Sequence, residues 1–220
     1  DDDKLSEENS LQKVSECLKK NNINDLEFVC VCEKRRSRNT SKVFIDQVFN
    51  LCNNFGYHEM LGWISGIILK KQTFQKVFED FAQSVTTQYK NVDDTITSAY
   101  PHSASILKYT HDKQGLFYDF GLVETQDKFQ TIETQKRWVE ENMIWRYFHV
   151  IDDIENLINQ RILKPNSLNL SFFRYHTYFL WDHLIFLTFN RLPKYIYSNS
   201  DINDINNHIR ILTNNLCRLL

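Results

Sequence analysis

The stretch that decides the fold runs from Gln135 to Leu163 and reads QKRWVEENMIWRYFHVIDDIENLINQRIL, with no Gly and no Pro. Trp138, Trp145, Phe148, Ile151, Ile154, Ile158 and Ile162 recur every three to four residues, apart from one wider gap after Trp138. That spacing puts them on one side of a helix. Glu140, Glu141, Arg146, Asp152, Asp153 and Glu155 fill the other sides. The pattern predicts the central rod of a helical domain.

On the C-terminal side, Lys164-Pro165-Asn166 stops the rod. Ser167 to Asn190 follows, apolar on nearly every side. Arg174, His176, Asp182 and His183 interrupt it, and charges near a membrane midplane cost roughly 2.5–3.5 kcal/mol each. It therefore reads as a helix buried among others. A last amphipathic helix starts near Asp201, with Ile205, Ile209, Leu212, Leu216 and Leu219 inward.

On the N-terminal side, Leu107, Tyr109, Phe117, Tyr118 and Phe120 flank His111-Asp112-Lys113-Gln114-Gly115, which admits one small β-hairpin near 106–123. Thr73 opens a helix carrying Phe74, Val77, Phe78, Phe81 and Val85. Met60 to Lys70 reads as helical. Thr40 or Ser41 is placed to cap a helix lined by Phe44, Val48, Leu51, Cys52 and Phe55, which Gly56 ends. Leu26 to Cys32, LEFVCVC, is a compact apolar run that periodicity leaves open between a strand and a helical turn. Leu5 to Lys20 is an amphipathic helix with Leu11, Val14 and Leu18 buried and Ser6 as its cap.

Composition agrees with helices. The 220 residues include only five Gly and three Pro, against sixteen Phe, ten Tyr and four Trp. Average usage is roughly 7% Gly and 5% Pro. Turn-rich β-sandwiches and glycine-rich nucleotide folds need more of both. The expected fold is a mainly α, multi-helix bundle of about seven helices. Asp1–Lys4, DDDK, resembles the tail of a protease-cleavage tag, leaving 5–220 as one helical domain. Ile68-Leu69-Lys70 before Thr73 and Ile162-Leu163-Lys164 before Ser167 hint at two helical halves, 5–90 and 129–220, joined by 91–128.

Without Asp1–Lys4, acidic and basic residues balance, so no global charge draws the chain to nucleic acid or an anionic membrane. The basic cluster Lys34, Arg35, Arg36 could grip an acidic group, but no aromatics interleave it for base stacking. The five Cys include no C-x-x-C pair, which favours buried thiols in a reducing, cytoplasmic setting. Membrane association is expected only through a segment outside this sequence.

The strongest polar constellation lies on the two aromatic helices. His149 and Asp153 are one turn apart, and His176 and His183 are two turns apart. Packed antiparallel, these candidate catalytic groups could move a proton. Specific signatures are missing: there is no Glu-x-x-His, no H-E-x-x-H, no P-loop and no G-x-S-x-G. No metal or cofactor is expected. Whether the chain is an enzyme stays open. The favoured expectation is a helical protein-interaction or scaffold module whose partner is another protein, with Tyr195 and Tyr197 as binding anchors. The alternative is a helical enzyme or metal-binding protein using the His/Asp cluster.

Overall fold

The computed structural model describes residues 3–34, 40–62, 64–88, 101–125, 143–164, 169 and 171–174, and single positions 210, 213, 214 and 217. It corrects the expectation of a mainly α bundle. Among the described residues a curled, mixed five-stranded sheet stands beside six helices, so the fold is α/β.

In chain order the elements are β1 (Asp3–Leu5), α1 (Ser10–Lys20), β2 (Phe28–Glu33), β3 (Val43–Gln47), α2 (Val48–Phe55), α3 (Tyr57–Leu61), β4 (Ile67–Leu69), α4 (Lys71–Gln88), α5 (Pro101–Thr110), β5 (Gln114–Thr125) and α6 (Met143–Asn159). The central strand is β5. Its one edge pairs in parallel with β2, from Phe28 opposite Gly115 to Val31 opposite Tyr118. Its other edge takes two antiparallel strands end to end, β3 along Gln114–Tyr118 and β1 along Val123–Thr125. Outside β2 lies β4, antiparallel to it.

The apolar run LEFVCVC becomes a strand because both of its faces are covered. Phe28, Cys30 and Cys32 join one core cluster, while Val29 and Val31 join the other. A strand buried on both sides loses the apolar-polar alternation that would identify it, and reads as a continuous hydrophobic run. On one face α2, α3, α5 and α6 supply Val48, Leu51, Tyr57, Met60, Leu61, Leu107, Val150, Ile151 and Ile154. On the other face α1 supplies Val14, Cys17 and Leu18, while Leu11 is exposed.

The expected hairpin near 106–123 is absent. Residues 101–110 form α5, and the following twelve-residue strand pairs with distant partners instead of with its neighbour. The reason lies in the connections. Strands joined by helices need no tight hairpin turns, so scarce Gly and Pro do not exclude a sheet of this kind. Two parallel strands such as β2 and β5 require a long crossover, and the chain between them carries α2 to α5. Val43–Gln47 is likewise strand, and the helix read from Thr40 begins only at Val48. Ile67–Leu69 is strand rather than the end of a helix. Ser6 caps no helix: its hydroxyl donates to the Gly121 carbonyl, and α1 starts at Ser10.

The rod survives in shorter form. Val150, Ile151, Ile154 and Leu157 of α6 are buried, and Ile158 and Ile162 pack against the same core. The helix stops at Asn159, ahead of Pro165, where Arg161 adopts φ 60° and the Ile162 amide folds back to the Leu157 carbonyl. The side chains of Trp138, Trp145 and Phe148 lie outside the described residues.

Two contacts lock the layers. Gly115 lets α2 lie close on β5: an added Cβ would sit 2.8 Å from Val48 Cγ2 and 3.3 Å from both Leu51 Cδ1 and Phe28 Cδ1. Gly115→Ala is therefore expected to destabilise the chain by about 1–3 kcal/mol through overpacking, read from urea unfolding. Glu27, just before β2, accepts hydrogen bonds from Lys70 Nζ at 2.9 Å and Thr73 Oγ1 at 2.7 Å, tying β2 to the start of α4. These bonds hold its carboxyl below the usual carboxylate range. A depressed folded-state pKa contributes stability above the unfolded pKa and loses it as pH falls through the folded value. Glu27→Gln should cost about 0.5–1 kcal/mol at pH 7, because the pair is partly exposed. In parallel unfolding series the difference should vanish in acid, below the carboxylate range.

Candidate functional site

The two-sided pairing of β5 produces its own irregularity. From Tyr118 to Val123 the strand advances five residues, while β2 advances only two, from Val31 to Glu33. The surplus bulges out opposite Cys32. Gly121 permits this, since a Cβ there would meet Lys34 Cα at 2.7 Å. Bulges bend a strand and re-aim its side chains.

Asp119 opens the bulge on the same face as Gly115 and Phe117. It is 7% exposed, a buried carboxylate flanked by Tyr118 and Phe120. Its backbone is clamped by the chain entering β3: the Asp119 amide donates to the Lys42 carbonyl at 2.9 Å, and the Ser41 amide donates to the Asp119 carbonyl at 3.1 Å. The Thr40 hydroxyl donates to Asp119 Oδ2 at 2.5 Å. Between Thr40 and Lys42, Ser41 takes φ 52°. A non-glycine residue in that region carries about 1–3 kcal/mol of strain. The distorted corner brings both neighbours onto Asp119.

Around Asp119 lies a cleft of about 630 Å³, lined by Cys32, Thr40, Lys42, Glu59 and Arg174 among others. One wall is aromatic. Phe55 and Phe117 have ring centroids 4.4 Å apart, and Phe44 meets Phe55 edge-on at 4.8 Å. Among the described residues, two carboxylates and two cations share the cleft with three rings. Among the described residues no group of three or more His, Cys, Asp or Glu could hold a metal ion.

The residues singled out in the sequence are only partly brought into view. Asp153 is half-buried on α6. Its charge reaches the buried Tyr57 hydroxyl, whose pKa is pushed well up, mainly by burial and then by Asp153, with a Ser103 hydrogen bond acting the other way. His149 lies on α6, its side chain outside the described residues, as are His176, His183, Tyr195, Tyr197, Arg35 and Arg36. Lys34, just after β2, pairs with Glu124 at 3.3 Å. Of the described ones, Lys34 and Asp153 stand outside the cleft lining. The one sequence signal for Asp119 was a lone carboxylate inside the aromatic run LFYDFGL.

A second surface differs in kind. On α4, Val77 is buried, whereas Phe74 and Phe78 are 54% and 56% exposed and stack with centroids 6.0 Å apart. The apolar stripe of this helix is wider than the face the core covers. Ile64 and Ile68, on the preceding turn and on β4, are 65% and 37% exposed.

Protein-family models, curated proteins and solved structures yield no match to this chain, so function must be argued from these surfaces.

All five cysteines are thiols. Burial pushes Cys30 and Cys52 far above the ordinary thiol range, and only the thiolate is a good nucleophile. An alkylating reagent on the native chain should label Cys217, which is exposed, first. Cys30 and Cys52 should react only on unfolding, as peptide mass mapping would report.

Proposed function

We propose that this chain is a protein-interaction module that receives an extended apolar segment of a partner along β4 and α4. The observation that carries this reading is the exposure of Ile64, Ile68, Phe74 and Phe78 on β4, the turn before it and the helix after it, β4 being an edge strand of the sheet. Scattered exposed apolar residues are ordinary, but a cluster of them marks interaction surfaces. An edge strand offers main-chain donors and acceptors, and pockets between alternate side chains add selectivity. Among the described residues β4 pairs with β2 alone. A segment added there would gain hydrogen bonds from β4 and apolar contact from the phenylalanine pair.

The partner in this proposal is a protein, and without Asp1–Lys4 the balanced charge of the chain gives no global pull toward nucleic acid. No cofactor is required. Thiol cysteines suit a reducing, cytoplasmic setting. No helix among the described residues is long and apolar enough to cross a membrane. A second reading, an enzyme or small-molecule binder, is favoured by the polar cleft at Asp119; the histidine side chains of the His/Asp cluster lie outside the described residues.

Selection of displayed peptides on the immobilised chain should enrich extended sequences with apolar residues at alternate positions. The double variant Phe74→Asp, Phe78→Asp should abolish their binding while changing stability by no more than about 0.5 kcal/mol, as expected for exposed sites. Equal retention of the selected peptides by the variant would remove the proposal.

A further inference from the structure

We infer that Ser41 is a modification site, phosphorylated from ATP by a serine kinase that selects basic substrates, and that the phosphate it receives is held by Lys20 on α1. This inference stands apart from the proposed docking surface.

Sequence and structure single out the same hydroxyl. Arg36 and Arg38 stand five and three residues before Ser41 in the chain. A kinase whose substrate groove is lined with carboxylates reads such arginines through charge-assisted, bidentate hydrogen bonds. Ser41 is exposed, and among the described residues its hydroxyl has no hydrogen-bond partner. The hydroxyl of its neighbour Thr40 is committed to Asp119. Ser41 also stands where the chain can open. The pairing of β3 with β5 begins at Val43. Ahead of it the corner is tied by two backbone bonds, from the Ser41 amide to the Asp119 carbonyl and from the Asp119 amide to the Lys42 carbonyl. Breaking them lets Ser41 leave φ 52° for an extended form, so released strain offsets part of the cost of opening. In the transfer, Ser41 Oγ bonds to the γ-phosphorus of ATP and the bond from that phosphorus to ADP breaks. The hydroxyl proton passes to the catalytic carboxylate of the kinase.

The surroundings give the phosphate a partner. Ser41 lines a cavity of about 430 Å³ beside α1, together with Lys13, Glu16, Lys20 and Tyr118 among others. Lys20 is the last residue of α1 and, among the described residues, makes no ion pair. Lys13 pairs with Glu7, and Glu16 accepts a hydrogen bond from Gln12 Nε2 at 2.9 Å. The Glu16 carboxylate opposes an anion, which assigns the phosphate to the Lys20 end of the cavity. A phosphoserine brings roughly −1.5 to −2 of charge and three acceptor oxygens. Held by Lys20, it ties the entry to β3 onto α1.

The test is incubation of the full chain with ATP and the catalytic domain of a kinase that selects arginine at both positions, followed by peptide mass mapping. Phosphate is expected on Ser41. Ser41→Asn removes the acceptor and keeps the corner, since Asn tolerates the left-handed region, and should lose the phosphate at that peptide. Arg38→Gln leaves the acceptor in place and should slow incorporation by about tenfold or more. The phosphorylated chain should unfold at a higher temperature than the unmodified one, and Lys20→Gln should abolish that rise. The inference is overturned if Ser41 takes up no phosphate, if Ser37 or Thr40 takes it instead, or if the rise is absent in the parent chain or undiminished in Lys20→Gln.

Discussion

A strand enclosed on all sides must have every main-chain donor and acceptor paired, and β5 is such a strand. Its edges are met by β2 on one side and by β3 and β1 on the other. Its faces are covered by two separate apolar clusters. Most of the architecture follows from that enclosure. Three chain segments distant in sequence must be brought to one strand. The parallel β2–β5 pair must be separated by a long crossover, which places α2 to α5 in the chain between them. The close approach of α2 then demands a residue without a side chain at position 115.

The same enclosure explains why polar chemistry collects where it does. β5 cannot stay in register with β2 on one edge while β3 gives way to β1 on the other. The mismatch is released between Tyr118 and Val123. On the face that carries Gly115 and Phe117, polar groups enter at Asp119, where Thr40 and Lys42 join it. The cleft is thus the place where regular pairing stops, and the backbone hydrogen bonds it would have used are taken over by the chain entering β3.

Burial also shows where the core stops. The helix layer absorbs Val77 on α4 but leaves Phe74 and Phe78 at the surface. A helix whose apolar stripe exceeds its covered face presents the surplus to whatever approaches. The surplus lies on the helix that directly follows β4 in the chain.

Local periodicity was enough to place α1, much of α4 and the isoleucine face of α6, because a helix closes its hydrogen bonds within a few residues and its buried stripe follows from 3.6 residues per turn. Scarcity of Gly and Pro reads as favouring helices, but it is equally compatible with a sheet whose described strands are not joined by tight turns. What the residues could not disclose alone was the sheet. Leu26 to Cys32 is equally apolar as a strand covered on both faces or as a buried helical turn, and the choice depends on partners some ninety residues away. The site was hidden for the same reason. Asp119, Thr40, Lys42 and Glu59 share no motif, and they become neighbours only because pairing between remote strands, and the slip that ends it, brings them together.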